Sequence, residues 1–205
     1  LSVISTGIGP DNIDIVINEL DALAHIDLKT KEIKAIGRTL NIVRIGTSGS
    51  VQADIPVDSF VISEKSIGCD GVLRFYANNE SVCDHPFEEA FIRHCRWTPS
   101  AARPYVVNAD PGLVDRLYDE EHTIKGVTLT AVGFYGPQGR VLRLPLAMPG
   151  INDRITAFRY EGYKVTNYEM ESAAITGLCN LLGHRAATIC LIIANRMNGD
   201  ASADY

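Results

Sequence analysis

The sequence predicts an α/β fold built on a sheet with crossover helices. Three observations carry this reading. Short β-branched runs alternate with amphipathic stretches along the chain, as they do where helices connect strands. Ala187 to Ala194 is a continuous apolar run, suited to a strand covered on both faces. Glycine-rich turns follow several of the runs, and the carboxyl ends of strands are where such sheets gather ligands.

In order, Leu1 to Ser5 reads as a strand, Asn12 to Leu23 as a helix with Ile13, Val16, Ile17 and Leu20 on one face, and Leu40 to Ile45 as a strand. Together they predict a βαβ unit. His25 to Thr39 mixes charges of both signs and reads as a solvated connection. Val57 to Ser63 and Val127 to Phe134 are further strands, separated by a segment that Pro86, Pro99, Pro104 and Pro111 interrupt. Thr166-Asn167-Tyr168-Glu169 has capping-box spacing and predicts the start of a helix carrying Met170, Ala173, Ala174, Leu178, Leu181 and Leu182. Gly183 then stands where a left-handed helix cap belongs.

The bulk properties narrow the function. A chain of 205 residues with 46% hydrophobic and 21% charged residues fits one compact domain. A net charge of -6 argues against an extended nucleic-acid surface, which needs a clustered excess of Lys and Arg. It still allows a small anion, for which two or three local donors suffice. Cys69, Cys83, Cys95, Cys179 and Cys190 form no CxxC pair and are odd in number, so neither a zinc site nor a disulfide framework is expected. Reduced thiols, and no leader or membrane-length apolar run, point to the cytoplasm. The chain opens on Leu1-Ser2-Val3-Ile4 as though inside a strand and closes on Asp200 to Tyr205 as though before a helix. The expectation is of a longer native protein that loses solubility and activity when cut to these residues.

Three segments carry chemistry. Ser5-Thr6-Gly7-Ile8-Gly9-Pro10 looks like a dinucleotide loop but has Asn12 in place of the third glycine, so a tight packing or phosphate-facing turn fits better. Arg44-Ile45-Gly46-Thr47-Ser48-Gly49-Ser50 places a guanidinium before small residues that expose backbone N–H groups, which suits an anion. Gly133-Phe134-Tyr135-Gly136-Pro137-Gln138-Gly139-Arg140 sets a ring, a carboxamide and a guanidinium in one loop, a set complementary to an imide edge such as uracil's. Glu169 and Glu171 are two apart near a predicted helix start. That spacing argues against a catalytic carboxylate pair and gives Glu169 a capping role.

Arg44-Ile-Gly-Thr-Ser-Gly, Phe134-Tyr-Gly-Pro-Gln-Gly-Arg140, Asn167-Tyr-Glu-Met-Glu-Ser172 and Asn195-Arg196 stand in an order and spacing that resembles the uridine phosphorylases of the nucleoside phosphorylase superfamily. The resemblance runs from Ser5 to about Arg196 and is loose between Ser81 and Tyr105. It implies a three-layer α/β/α sandwich with a central mixed, partly barrel-like sheet, and phosphorolysis of uridine to uracil and ribose 1-phosphate. By the same resemblance Arg44, Arg140 and Glu171 would be catalytic, and Arg44 and Thr47 would hold phosphate. Phe134, Gln138, Arg140, Gly49, Ile193, Ala194 and Arg196 would border the base, with Ser48 lining the pocket. Thr47, Glu169, Met170 and Glu171 would meet the ribose.

The partners so implied are a nucleoside and phosphate, with a homo-oligomer sharing sites between subunits. No metal or organic cofactor is implied, and the short turn at Gly9-Pro10-Asp11 departs from members that carry a monovalent-cation site there. The family's amino-terminal phosphate-binding glycine and arginine have no counterpart in this chain, which would leave the phosphate pocket incomplete. Purine phosphorylases and nucleosidases place an aspartate where this chain has Asn195-Arg196, and Asp200 and Asp204 come later than that position. A hydrolytic nucleosidase, a purine phosphorylase and a silent nucleoside-binding homologue remain the alternatives.

Overall fold

The computed structural model describes residues 1–203. Its strands are β1 Asn41–Ser50, β2 Phe60–Gly68, β3 Tyr105–Asn108, β4 Thr123–Thr130, β5 Arg159–Tyr160, β6 Tyr163–Glu169, β7 Arg185–Asn195 and β8 Asp200–Ala201. The α-helices are α1 Pro10–His25, α2 His85–Cys95, α3 Pro111–Leu117, α4 Ile151–Ala157 and α5 Ser172–Leu181. The sheet is mixed: β1–β7, β2–β4 and β4–β6 are parallel, while β1–β6, β2–β7 and β2–β3 are antiparallel. Because β7 pairs with both β1 and β2, strands β2, β4, β6, β1 and β7 close into a ring. This is an α/β fold with the mixed, partly barrel-like sheet that the resemblance implies.

Helices cover the ring in separate clusters. Helices α1 and α5 bury Ile13, Ile17, Ala174 and Leu178 in one. Helices α2 and α4 bury Phe87, Phe91 and Ile155 in another, joined by Phe158 just past α4. The rings of Phe87 and Phe158 meet edge to face at 5.5 Å, a geometry favoured by the aromatic quadrupole. Asp84 and Asp110 cap α2 and α3 by accepting from the Phe87 and Leu113 backbone N–H groups, as short acidic side chains do at helix starts. At the end of α1, His25 stacks on His184 with centroids 5.4 Å apart and ring planes 27° apart, and Asp21 lies beside both. Asp21 Oδ1 lies 2.8 Å from His25 Nδ1 and 3.2 Å from His184 Nε2, so one carboxylate oxygen faces both rings.

Several predicted elements change. Leu1 to Ser5 is exposed and irregular, with no ladder partner among the described residues, so the expected βαβ unit does not form. Strand β1 runs on through Gly46 to Ser50, because its parallel ladder with β7 continues across the residues read as a turn. Strand β2 starts at Phe60, not Val57, and reaches Gly68, while β4 ends at Thr130 and leaves Phe134 in a loop. Thr166 to Glu169 closes β6 rather than opening a helix, since pairing with β4 outweighs a local capping pattern. Gly183 does take the left-handed conformation, at φ 74°. Asp204 lies outside the described residues.

Gly68 is the tightest close approach in β2. A Cβ there would lie 2.2 Å from the Tyr105 Cζ atom, and the fully buried Tyr105 is anchored by its hydroxyl, which donates to Asp70 at 3.0 Å. Gly68→Ala is expected to destabilise the protein by about 3 kcal/mol through overpacking, read as a fall in Tm of roughly 6 to 12 °C. An unchanged melting curve would mean that the tyrosine ring does not lie over Gly68.

Candidate active site

Arg44 projects from β1 and lies over Gly46, whose missing side chain makes room for the guanidinium: a Cβ there would sit 2.6 Å from Nη1. Two carboxylates meet this guanidinium. Glu169 Oε2 is 3.2 Å from Nη1, and Glu171 Oε2 accepts from Nη2. A third contact runs from Nη1 to the Cys190 sulfur at 3.1 Å, on the residue that pairs with Gly46 across the β1–β7 ladder. Burial works against the Arg44 charge, but Glu169 and Glu171 outweigh it and hold the guanidinium firmly protonated. The expectation that the two glutamates do not converge is therefore corrected. It assumed a helix, whereas Glu169 ends a strand and Glu171 is the N-cap of α5.

The turn before α1 joins this end of the site. Gly9, at φ 98°, donates its N–H to Glu171 Oε1 at 2.7 Å. Glu169 is anchored by Thr130, whose hydroxyl donates at 2.5 Å, and by the Glu171 and Ser172 backbone N–H groups at 2.8 Å. The expected capping box at Thr166–Glu169 does not form; Glu169, at the end of β6, instead accepts the Glu171 and Ser172 N–H groups at the start of α5. Burial raises the Glu169 carboxyl above its ordinary value, while Arg44 and the Thr130 hydroxyl pull it down.

The second end of the site is organised by Gln138, which is 3% exposed. Its Oε1 accepts from Arg140 Nη1 at 2.5 Å and from Arg196 Nη2, and its backbone oxygen accepts from Arg196 Nη1 at 3.1 Å. Arg140 covers one face of Phe134, with Cζ 3.9 Å from the ring centroid, and also donates to the Phe134 carbonyl. Arg196 lies over Tyr168 at 4.5 Å. Among the described residues no carboxylate pairs with either cation, and both converge on the Gln138 carboxamide oxygen. Accordingly, burial first and Arg140 second lower the pKa of Arg196, and burial lowers that of Arg140. Gly49 faces Ala194 where the β1–β7 register shifts, and a Cβ there would meet Arg196 Nε at 3.4 Å.

Ser48 stands between the two ends. Asn167 donates to the Ser48 hydroxyl at 2.9 Å and accepts from Thr128 and Thr166, which fixes Ser48 through a buried chain of hydroxyls. Ile193, Ala194 and Met170 are half-buried beside these groups in sequence. Thr47 is exposed, strand alternation puts it on the opposite face of β1 from Arg44, and no hydrogen bond joins the two. A cavity of about 540 Å³ adjoins the Gln138 end, lined by Tyr135, Pro137, Arg140, Leu142, Leu144 and Met148. It shares Arg140 with the site but none of the residues around Arg44.

Sequence reasoning missed Tyr168 and Asn152. Asn152 donates to the Gln138 carbonyl at 3.1 Å and accepts from the Tyr168 hydroxyl. The nearest sequence signal is Gly139, left-handed at φ 68°, where a Cβ would meet the Asn152 amide at 2.4 Å. From the sequence, Cys190 has no role beyond that of a reduced thiol. Its contact with Arg44 became visible only with the ladder register.

A model of the phosphorylase superfamily matches residues 1–205. The uridine phosphorylase of Thermococcus kodakarensis (strain ATCC BAA-918 / JCM 12380 / KOD1) is 27% identical over 206 residues, covering 98% of this chain and 60% of that protein. The uridine phosphorylase of Escherichia coli (strain K12) is 26% identical, covering 95% and 63%. The chain therefore spans under two thirds of the length of these curated relatives. An inactive uridine phosphorylase B of Schistosoma mansoni is 36% identical over 87 residues, covering 38% of this chain. In structure, a Trypanosoma brucei nucleoside phosphorylase described as showing uridine phosphorylase activity superposes with a TM-score of 0.82 at 26% identity, covering 97% of this chain and 72% of that one. With the ring of strands, the Arg44 cluster and the Gln138 loop in place, the chain belongs to the phosphorylase superfamily.

Proposed function

We propose that the protein cleaves uridine by phosphorolysis, giving uracil and ribose 1-phosphate. The observation that carries this is the two-ended site: a guanidinium between two carboxylates at one end, and two arginines sharing one carboxamide at the other. Phosphate held at Arg44 attacks the ribose anomeric carbon as the bond to uracil N1 breaks. The sugar passes through an oxocarbenium-like state, and the electron pair of the broken bond goes to the ring. Arg140 and Arg196 stabilise the charge that grows on the uracil oxygens, as pre-organised donors do, and the released uracil anion takes up a proton. Glu171 receives a ribose hydroxyl, and Gln138 reads the imide edge.

Asn195 favours a pyrimidine. Its amide donates to the Gln52 and Ile55 carbonyls, and its oxygen accepts from the Met197 and Asn198 N–H groups. A side chain committed in this way has no proton to give a purine N7, so inosine and adenosine are expected to be poor substrates at saturating phosphate. Equal rates on inosine and uridine would refute the pyrimidine assignment.

The defining experiment measures uracil release from uridine with and without phosphate, alongside uridine binding. Phosphate-dependent release is expected. Phosphate-independent release would make the protein a nucleosidase, and binding without turnover would place it with relatives such as the inactive Schistosoma protein. We propose further that it needs no metal or organic cofactor, so that activity survives exhaustive chelation, and that it works in the cytoplasm as a homo-oligomer, a dimer or hexamer distinguishable by light scattering. Among the described residues no helix is long and apolar enough to cross a membrane.

A further inference from the structure

We infer that Glu169 is a positioning residue for the phosphate-binding guanidinium and not a ribose ligand, an inference that rests on the phosphorolytic reading of the site. An ionised carboxylate offers about four lone-pair sites. Glu169 takes three hydrogen bonds and one ion pair, one contact at Oε1 and three at Oε2. The Thr130 hydroxyl is at 2.5 Å from Oε1, the Glu171 and Ser172 N–H groups are each at 2.8 Å from Oε2, and Arg44 Nη1 is at 3.2 Å from the same atom. The side chain is 1% exposed. A side chain so buried, and held at both oxygens by groups of the fold, gives a ribose hydroxyl little access.

Glu171 differs in kind. It meets two donors, the Gly9 N–H and Arg44 Nη2, and so keeps lone pairs for a sugar. When Glu171 turns to the ribose, Arg44 loses one of its two carboxylates, and Glu169 is the one that stays. Its position is dictated by the first N–H groups of α5 and by Thr130 at the end of β4, so the orientation of the guanidinium is set by the scaffold and not by the substrate. Thr130 is itself fixed, accepting from the Ala173 N–H at 2.9 Å. The two neighbouring glutamates therefore divide the work: one holds the arginine and the other reads the sugar.

The test is Glu169→Gln in the full chain, with phosphate and nucleoside varied independently. Glutamine keeps an acceptor for the α5 N–H groups but loses the charge opposite Arg44. The expected result is a rise of about tenfold or more in KM for phosphate, as the guanidinium loses the buried charge 3.2 Å away that orients it, with KM for uridine little changed. The penalty should be equal for uridine and 2′-deoxyuridine, because no ribose hydroxyl is involved. A parental phosphate KM, or a loss confined to uridine KM and relieved in the deoxy substrate, would overturn the inference. If the variant does not fold, Thr130→Val, which removes one anchor of Glu169, should give a smaller rise in the same phosphate KM, and no rise would count equally against it. If the parent shows no phosphorolysis, the functional reading fails separately. Calorimetric titration of parent and variant with inorganic phosphate then decides the role of Glu169, equal affinities overturning it.

Discussion

Arg44→Ala is expected to lower kcat/KM for uridine by about a thousandfold, in line with the loss of a charged donor at a reacting anion, and to destabilise the fold by about 3 kcal/mol. The second effect follows from what the arginine leaves behind. Glu169 is 4% exposed, and without the guanidinium its charge keeps hydroxyl and amide donors but no cation. The sign of the pH dependence can be worked out. Burial already raises the Glu169 carboxyl above 4.5, and removing Arg44 raises it further. Between 4.5 and the raised value the folded variant binds a proton that the unfolded chain has released, so stability falls as pH rises through that window. The deficit relative to the parent is thus largest at neutral pH and shrinks on acidification toward 4.5. Melting curves of both proteins across that range check it, and a deficit independent of pH would mean that Arg44 does not compensate the buried carboxylate.

Gln138→Ala is expected to reduce kcat/KM for uridine by about two to three orders of magnitude while leaving KM for phosphate unchanged. The buried carboxamide oxygen is the common acceptor of Arg140 and Arg196, and without it two partly desolvated cations face each other with nothing between them. They move apart, and the geometry of the proposed base site is lost. Arg140→Ala should show a loss of similar size on uridine with the fold intact. Parental efficiency in either variant would remove this loop from the base site.

The parts legible in the sequence are those whose geometry is local. The Phe134 to Arg140 loop could be read because ring, amide and guanidinium lie within seven residues, and the structure does bring Gln138 and Arg140 together. Helix α1, the left-handed Gly183 and the buried run of β7 were read from period and composition. What failed did so where pairing across the chain overrides local pattern. Gly46-Thr47-Ser48-Gly49 has turn composition, yet β7 holds it as strand. Thr166 to Glu169 has a helix-start pattern, yet β4 holds it as strand. The convergence of Glu169 and Glu171 on Arg44 follows from that second override and could not be read from their spacing. The roles of Tyr168 and Asn152 could not be read from the sequence, because what they do depends on the approach of Arg196 and the Gln138 loop from elsewhere in the chain.

The long parallel ladder between β1 and β7 also bears on how the protein acquires its chemistry. It joins Arg44 to Thr188 and Gly46 to Cys190, residues separated by most of the chain, and contacts so distant in sequence form late and slowly because a large loop must close before they form. The carboxylates that orient Arg44 arrive from the same late region, on β6 and at the start of α5. A refolding chain can therefore be compact and rich in helix while Arg44 still points into water. Recovery of phosphate binding should lag behind recovery of helical signal, and its rate should report closure of the ring.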